Sequence, residues 1–314
     1  MSELDEPTAS RRAVLQLLAG TVAYSALGGV RAKDADTRGP VIMLRDGVIA
    51  LQFDSRLHSR IALSAAGQET SLGDFSASEY VVTHDDRTLD DFPLAEQRLE
   101  PVRDPTHGAG QRLTLRGELG KLEKSVQVTL YERHPGFAIL TTSYHNTSDA
   151  PLRLARWVNC AHGLPTAADG APFGSFSGAS HEDRRDWVQR AAPGFEQGNF
   201  MGMNAADYGG GTPVVDVWRR DIGLAVGHVE AQPRLLSLPL RVSATEARLA
   251  VECDTELTLA PGGSFTTPDT FLTVHRGDYY ATLVRYREFM AERGLRAPVP
   301  HAGCYEPVWC AWGY

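Results

Sequence analysis

Along most of the chain, apolar and polar positions alternate in short runs separated by turn residues. Ser125-Val126-Gln127-Val128-Thr129-Leu130-Tyr131 repeats every second residue, the mark of a strand with one face buried. Comparable β-rich runs cover Val48–Phe53, Arg60–Ser64, Tyr80–Thr83, Gln111–Arg116, Phe137–His145 and Leu152–Val158. Others follow at Val214–Trp218, Leu224–Val229, Arg248–Cys253, Glu256–Leu259 and Phe271–His275. Asp46-Gly47, His134-Pro135-Gly136, Asn146-Thr147-Ser148-Asp149 and Pro261-Gly262-Gly263 supply turn chemistry between them. Many short strands with no intervening helices predict an all-β fold, a large antiparallel β-sandwich rather than a βαβ array.

Three segments depart from this pattern. Gly163 to Thr212 shows no regular period but carries Phe173, Phe176, Trp187, Phe195, Phe200, Met201, Met203 and Tyr208. It reads as a long loop, either functional or wrapped so that its aromatics fill a satellite core. At Asp278 the period lengthens. Tyr279, Tyr280, Leu283, Val284, Tyr286, Arg287 and Met290 follow helical spacing, with Asp278 as N-cap and Gly294 at the end. Beyond Pro298-Val299-Pro300, the aromatic-dense Cys304–Tyr314 reads as a buried strand.

The N-terminus has its own logic. Ser10-Arg11-Arg12 precedes a mildly apolar stretch from Ala13 to Val30, and Val30-Arg31-Ala32 has the small-residue spacing of a signal-peptidase site. Residues 1–32 are therefore expected to be a twin-arginine signal. The mature chain would start near Lys33 and be periplasmic or extracellular, with no membrane contact after cleavage.

Composition narrows the function. The 314 residues are 42% hydrophobic and 22% charged, an ordinary globular balance. The net charge of −8, with no Lys/Arg run beyond a doublet, argues against nucleic acid. Four cysteines are too few for a disulfide-built scaffold. His181-Glu182-Asp183 with Asp186 lacks metal-ligand spacing, and Gly108-Ala109-Gly110 lacks the third glycine of a dinucleotide fingerprint. No cofactor and no metal are expected. His145, His162, His228 and His275 lie in or near strands and would form a catalytic group only if the fold converged them.

Several segments together resemble the N-terminal part of glycoside hydrolase family 36 (melibiase-type) α-galactosidases. They are Asp91-Phe92 with Gly108–Leu113, Leu130–Phe137, Tyr144–Leu152, Pro261–Pro268 and the following helix, and finally Trp309-Cys310-Ala311-Trp312. The resemblance implies a β-supersandwich at 33–277, a linker helix at 278–298 and the first strand of a (β/α)₈ catalytic barrel at 299–314. A barrel needs about 250 residues, so the catalytic carboxylates of a retaining glycosidase fall on no position here. The chain is expected to be the non-catalytic front portion of an exported α-galactosidase-like enzyme, truncated at the barrel and inactive alone. Carbohydrate, an α-galactoside, is the expected partner of the complete enzyme. By this resemblance Trp312 stacks on the bound sugar with Trp309 beside it, against a plain packing role for both. In an oligomeric relative a sandwich loop reaches a neighbouring active site; Asp90 and Asp91 mark the corresponding candidate here, against ordinary solvated aspartates. The alternative is a stand-alone carbohydrate-binding or structural β-sandwich module.

Overall fold

The structure, a computed structural model, describes residues 41–65, 68–178, 187–200, 212–220, 222–232 and 234–296, with 299 and 303. Among these, every strand pairing is antiparallel. A four-stranded sheet runs in chain order through Ile42–Arg45, Ile49–Phe53, Ser59–Ala65 and Gln68–Ser71. A ten-stranded sheet follows the order Val188–Ala191, Phe173–Ser177, Val214–Trp218, Gly223–His228, Thr270–His275, Phe137–Asn146, Leu122–Tyr131, Gly108–Leu119 and Leu94–Asp104, with Ser264–Thr266 beside Phe137–Asn146. A six-stranded sheet is ordered Glu196–Gln197, Leu240–Val242, Glu246–Leu259, Leu152–Pro165, Tyr80–Thr83 and Thr88–Leu89. The all-β antiparallel sandwich expected from the pattern is what the chain forms.

The two larger sheets share one core. Val126, Val128 and Leu140 from one meet Leu154, Trp157, Leu249 and Val251 from the other, and Ile49, Leu51 and Phe53 of the small sheet join them. The buried members of the strand Leu122–Tyr131 alternate up to Val128, as a one-sided strand requires.

Three sequence expectations need correction. The Gly163–Thr212 region is not a loop throughout: it contains the strands Phe173–Ser177, Val188–Ala191 and Glu196–Gln197. These are short, which hides any period, and only some of their aromatics fill a satellite core as expected. Phe173 and Phe195 join the main core; Phe176 and Trp187 join a smaller cluster. Leu94–Asp104 is an unexpected strand of 11 residues. It is the sheet's edge, where Glu96, Arg98 and Glu100 erase the alternation, the usual charged protection of an exposed edge. Arg248–Cys253 and Glu256–Leu259 are one continuous strand, Glu246–Leu259.

One helix, Tyr279–Glu292, occurs among the described residues, with Asp278 capping it by accepting from the Tyr280 N–H at 3.0 Å. It lies on the outer face of the ten-stranded sheet, where Phe289 and Met290 pack with Tyr131, Phe137 and Phe271. Burying Phe289 alone is worth about 1.5–3 kcal/mol. Arg285 pins the helix by donating to the Val274 carbonyl (2.7 Å) and to Thr273 Oγ1 (2.8 Å). No helix among the described residues is long and apolar enough to cross a membrane. The expected signal segment 1–32, the acidic turn His181–Asp186 and the expected barrel strand Cys304–Tyr314 lie outside the described residues.

Candidate functional site

The two aspartates singled out in the sequence sit in a short connection beside the turn Asp54–His58. Asp54 Oδ1 accepts the backbone N–H groups of Arg56 and His58, and Leu57 adopts φ +56° to close that turn. Arg56 Nη1 donates to Asp91 Oδ2 at 3.1 Å, and His58 Nε2 lies 3.7 Å from Asp91 Oδ1. The next residue, Phe92, is fully buried and anchors the connection from below. Asp91 is thus tied to its own domain's surface. Trp309 and Trp312 lie outside the described residues, so the aspartates and the tryptophans are not placed relative to one another.

Beneath Phe92 is an ionic group that the sequence reading missed. Lys124 is wholly enclosed; its Nζ donates to the Glu79 carbonyl at 2.9 Å and sits 4.6 Å over the Phe92 ring. Burial pushes its pKa down to about 8, against the attraction of Glu79. Glu79 is equally enclosed; burial raises its carboxyl pKa, opposed by Lys124 and by the hydrogen bond from Ser78. Ser78 in turn bonds Ser59. Tyr144, opposite Lys124 in the strand pairing, is buried too, and desolvation together with Glu79 keeps its phenol protonated. Sealed from solvent, this group can shape the interior but cannot meet a substrate.

The four strand histidines do not converge. His275 pairs with Gly223 while His228 pairs with Thr270, which puts them at opposite ends of one ladder. His275 bonds Asp216 (Nε2 to Oδ1, 3.0 Å) with both side chains fully enclosed, in space that any Cβ on Gly223 would occupy. His145 bonds Ser264 near the surface, and His162 belongs to a different sheet.

His162 does reach an opening. A cleft of about 320 Å³ is lined by Arg60, Asp74, Phe75, His162, Glu246 and Arg248 among others. The strand Leu152–Pro165 bulges between Asn159 and His162, with Cys160 at φ +54°, and this irregularity resets which side chains face the cleft. Arg60 is held by Gln52 Oε1 (2.6 Å) and lies over the Phe75 ring at 4.5 Å. Arg248 donates to the Ala161 carbonyl and sits 3.8 Å from Glu246, whose carboxylate lies directly against Gly163. His162 is buried with its Nε2 unpartnered. Desolvation, helped by Arg248, lowers its pKa to about 3, so the ring is a neutral hydrogen-bonding group. The volume is at the lower end for small-molecule sites. Its two guanidinium groups and two carboxylates can hydrogen-bond a polyhydroxylated ligand from several sides. These residues come from four separate stretches of chain, and no local motif links them. The described residues also bring together one metal-capable set: His107, His134 and Glu292.

Comparison with known proteins gives the fold a context. No family model matches the chain. A Flavonifractor plautii protein described as an A type blood α-D-galactosamine galactosaminidase is 23% identical over 232 residues, covering 72% of this chain and 21% of that protein. The solved α-galactosidase of Lactobacillus brevis superposes with a TM-score of 0.60 at 14% identity, over 80% of this chain and 42% of that one. The family 36 α-galactosidase AgaA of Geobacillus stearothermophilus, solved with 1-deoxygalactonojirimycin, gives 0.56 at 14% identity with the same coverage. This chain has the β-sandwich fold found in family 36 α-galactosidases. It spans about a fifth of the curated relative and about two-fifths of the solved enzymes.

Proposed function

We propose that this chain is the non-catalytic sandwich region of an exported glycoside hydrolase that removes terminal α-linked galactose or galactosamine units. The observation that carries the reading is the superposition on the Lactobacillus brevis α-galactosidase over 80% of the chain. The curated galactosaminidase relative supports it independently from sequence. The sandwich then serves as a scaffold beside a barrel that supplies both carboxylates, and the twin-arginine pattern Ser10-Arg11-Arg12 directs export. The purified 314-residue chain is expected to leave p-nitrophenyl α-galactoside and p-nitrophenyl α-N-acetylgalactosaminide unhydrolysed. Turnover above buffer that survives repurification would overturn the non-catalytic role. Replacing Arg11 and Arg12 together by lysine should hold the protein in the cytoplasm; unchanged export would remove the localisation.

A free-standing carbohydrate-binding module is the second reading, favoured by the cleft with Arg60 over Phe75 and the unpartnered Nε2 of His162. Calorimetric titration with raffinose tests it. Saturable binding abolished by Phe75→Ala would favour the module, and no heat with either protein would eliminate the cleft as a raffinose site.

A further inference from the structure

His107, His134 and Glu292 are far apart in the sequence but meet at one point. His107 stands in the turn between Leu94–Asp104 and Gly108–Leu119, and His134 in the turn between Leu122–Tyr131 and Phe137–Asn146. Glu292 is the last residue of the helix. Nδ1 of His107 lies 3.0 Å, and Nε2 of His134 2.8 Å, from the same carboxylate oxygen, Oε2 of Glu292. One donor atom from each residue falls within 4.8 Å of the other two.

Both rings are set before any ligand arrives. They are about nineteen-twentieths buried (5% and 6% exposed). His107 lies flat on Phe289, with centroids 3.8 Å apart and planes at 10°; His134 meets the same ring edge-on at 5.0 Å. The His107 backbone is fixed by Asp104 Oδ1, which accepts its N–H at 2.9 Å. Glu292 is 29% exposed on its side chain, which leaves a path for solvent and ions. Its position is also electrostatically odd, because a carboxylate in the last turn opposes the helix dipole unless a cation lies beside it. Arg133 is only a distant partner, at 3.9 Å from the other oxygen.

We propose that these three side chains form a zinc-binding site that fastens the end of the helix to the sheet. Two imidazole nitrogens and one carboxylate oxygen are a donor set for zinc rather than for magnesium or calcium. Bonds of about 2.0–2.1 Å in a tetrahedron put ligand atoms about 3.3 Å apart, and the two imidazole–carboxylate separations of 3.0 and 2.8 Å lie close to that spacing. Water completes the coordination on the exposed side. The role is structural and does not depend on glycosidase activity.

Zinc chloride titrated into the EDTA-stripped 314-residue chain should bind at one equivalent and raise the melting temperature, reversibly with EDTA. Magnesium and calcium should do neither. Glu292→Gln should weaken zinc by at least the roughly tenfold that even an outer-shell partner costs. It should also flatten the zinc-dependent rise while leaving the metal-free protein folded. Cobalt should give the visible bands of a four-coordinate site without thiolate charge transfer, since no cysteine is among the three proposed ligands. Absence of zinc binding, equal zinc affinity in wild type, Glu292→Gln and His134→Gln, or a thiolate band would each overturn the site.

Discussion

Glu79–Lys124 and His107–His134–Glu292 both join charged or titratable groups from distant parts of the chain, under opposite conditions. The first pair is wholly enclosed. Its desolvation must be met by internal partners: the Glu79 carbonyl, the Phe92 face and Ser78. The second group holds two buried imidazoles against a carboxylate that still meets solvent. Burial disfavours ionisation of Glu292, but hydrogen bonds from His134 and His107 outweigh it and hold the carboxyl below its ordinary value. The difference teaches what each can do. An enclosed pair fixes packing, whereas a group with one open side can exchange a proton or an ion.

The sharpest way to break the comparison is to remove one enclosed charge. Lys124→Met takes away the charge that offsets the desolvation of Glu79 and the donor to its backbone carbonyl, and should cost about 3 kcal/mol, the upper end for stranding buried polar groups. Combining it with Glu79→Leu should recover stability relative to Lys124→Met alone, because no unpaired charge then remains inside. Urea unfolding of the three proteins decides this. If the double variant were as weak as the single, the cost would lie in lost packing rather than in the stranded carboxylate.

His162 tests the same physics for a buried group without a counter-ion. Its folded pKa of about 3 lies below the roughly 6.5 of an unfolded histidine. Between those values the unfolded chain binds the extra proton, so stability is present above pH 6.5 and is lost as pH falls toward 3. From pH 6.5 to 4.5 wild type should lose about 2 kcal/mol more than His162→Gln. Denaturation series at the two pH values measure it, and parallel losses would show that His162 is not held neutral.

The sandwich was legible because its central strands bury one face. Ser125–Tyr131 alternates and the structure keeps that alternation through Val128. The parity of that run, carried back one position, puts Lys124 on the inward face, so a signal for the buried cation was present and went unread. The edge strand Leu94–Asp104 left no signal, since only Leu94, Leu99 and Val102 reach the core clusters, at spacings that make no period of two. The cleft and the His–His–Glu group were hidden for another reason. His107 and Glu292 are 185 residues apart, and only sheet order and helix docking bring such positions together.

Between the two extremes, Glu292→Gln in metal-free protein should cost about 1 kcal/mol. The amide oxygen still accepts one hydrogen bond, but the charge that strengthens both is gone. Thermal unfolding in EDTA reports it, and a loss as large as that of Lys124→Met would mean that the rim group is as closed as the interior pair.

The smallest effect belongs to Asp91, which lies over Lys124 yet faces water. Its bond to Arg56 joins side chains that are 45% and 63% exposed, so solvent screens the attraction and ordering two mobile groups offsets much of the rest. Asp91→Asn should therefore shift stability by less than about 1 kcal/mol, and a double-mutant cycle with Arg56→Ala should give a coupling of about 0.2–1 kcal/mol that fades in salt. Asp91 also contributes to the field at Lys124. If that field reached the enclosed ammonium strongly, Asp91→Asn would weaken wild type more than it weakens Lys124→Met, and the two layers would have to be counted as one network. Equal shifts in both backgrounds would show that Phe92, buried between them, separates a solvated surface pair from an interior one.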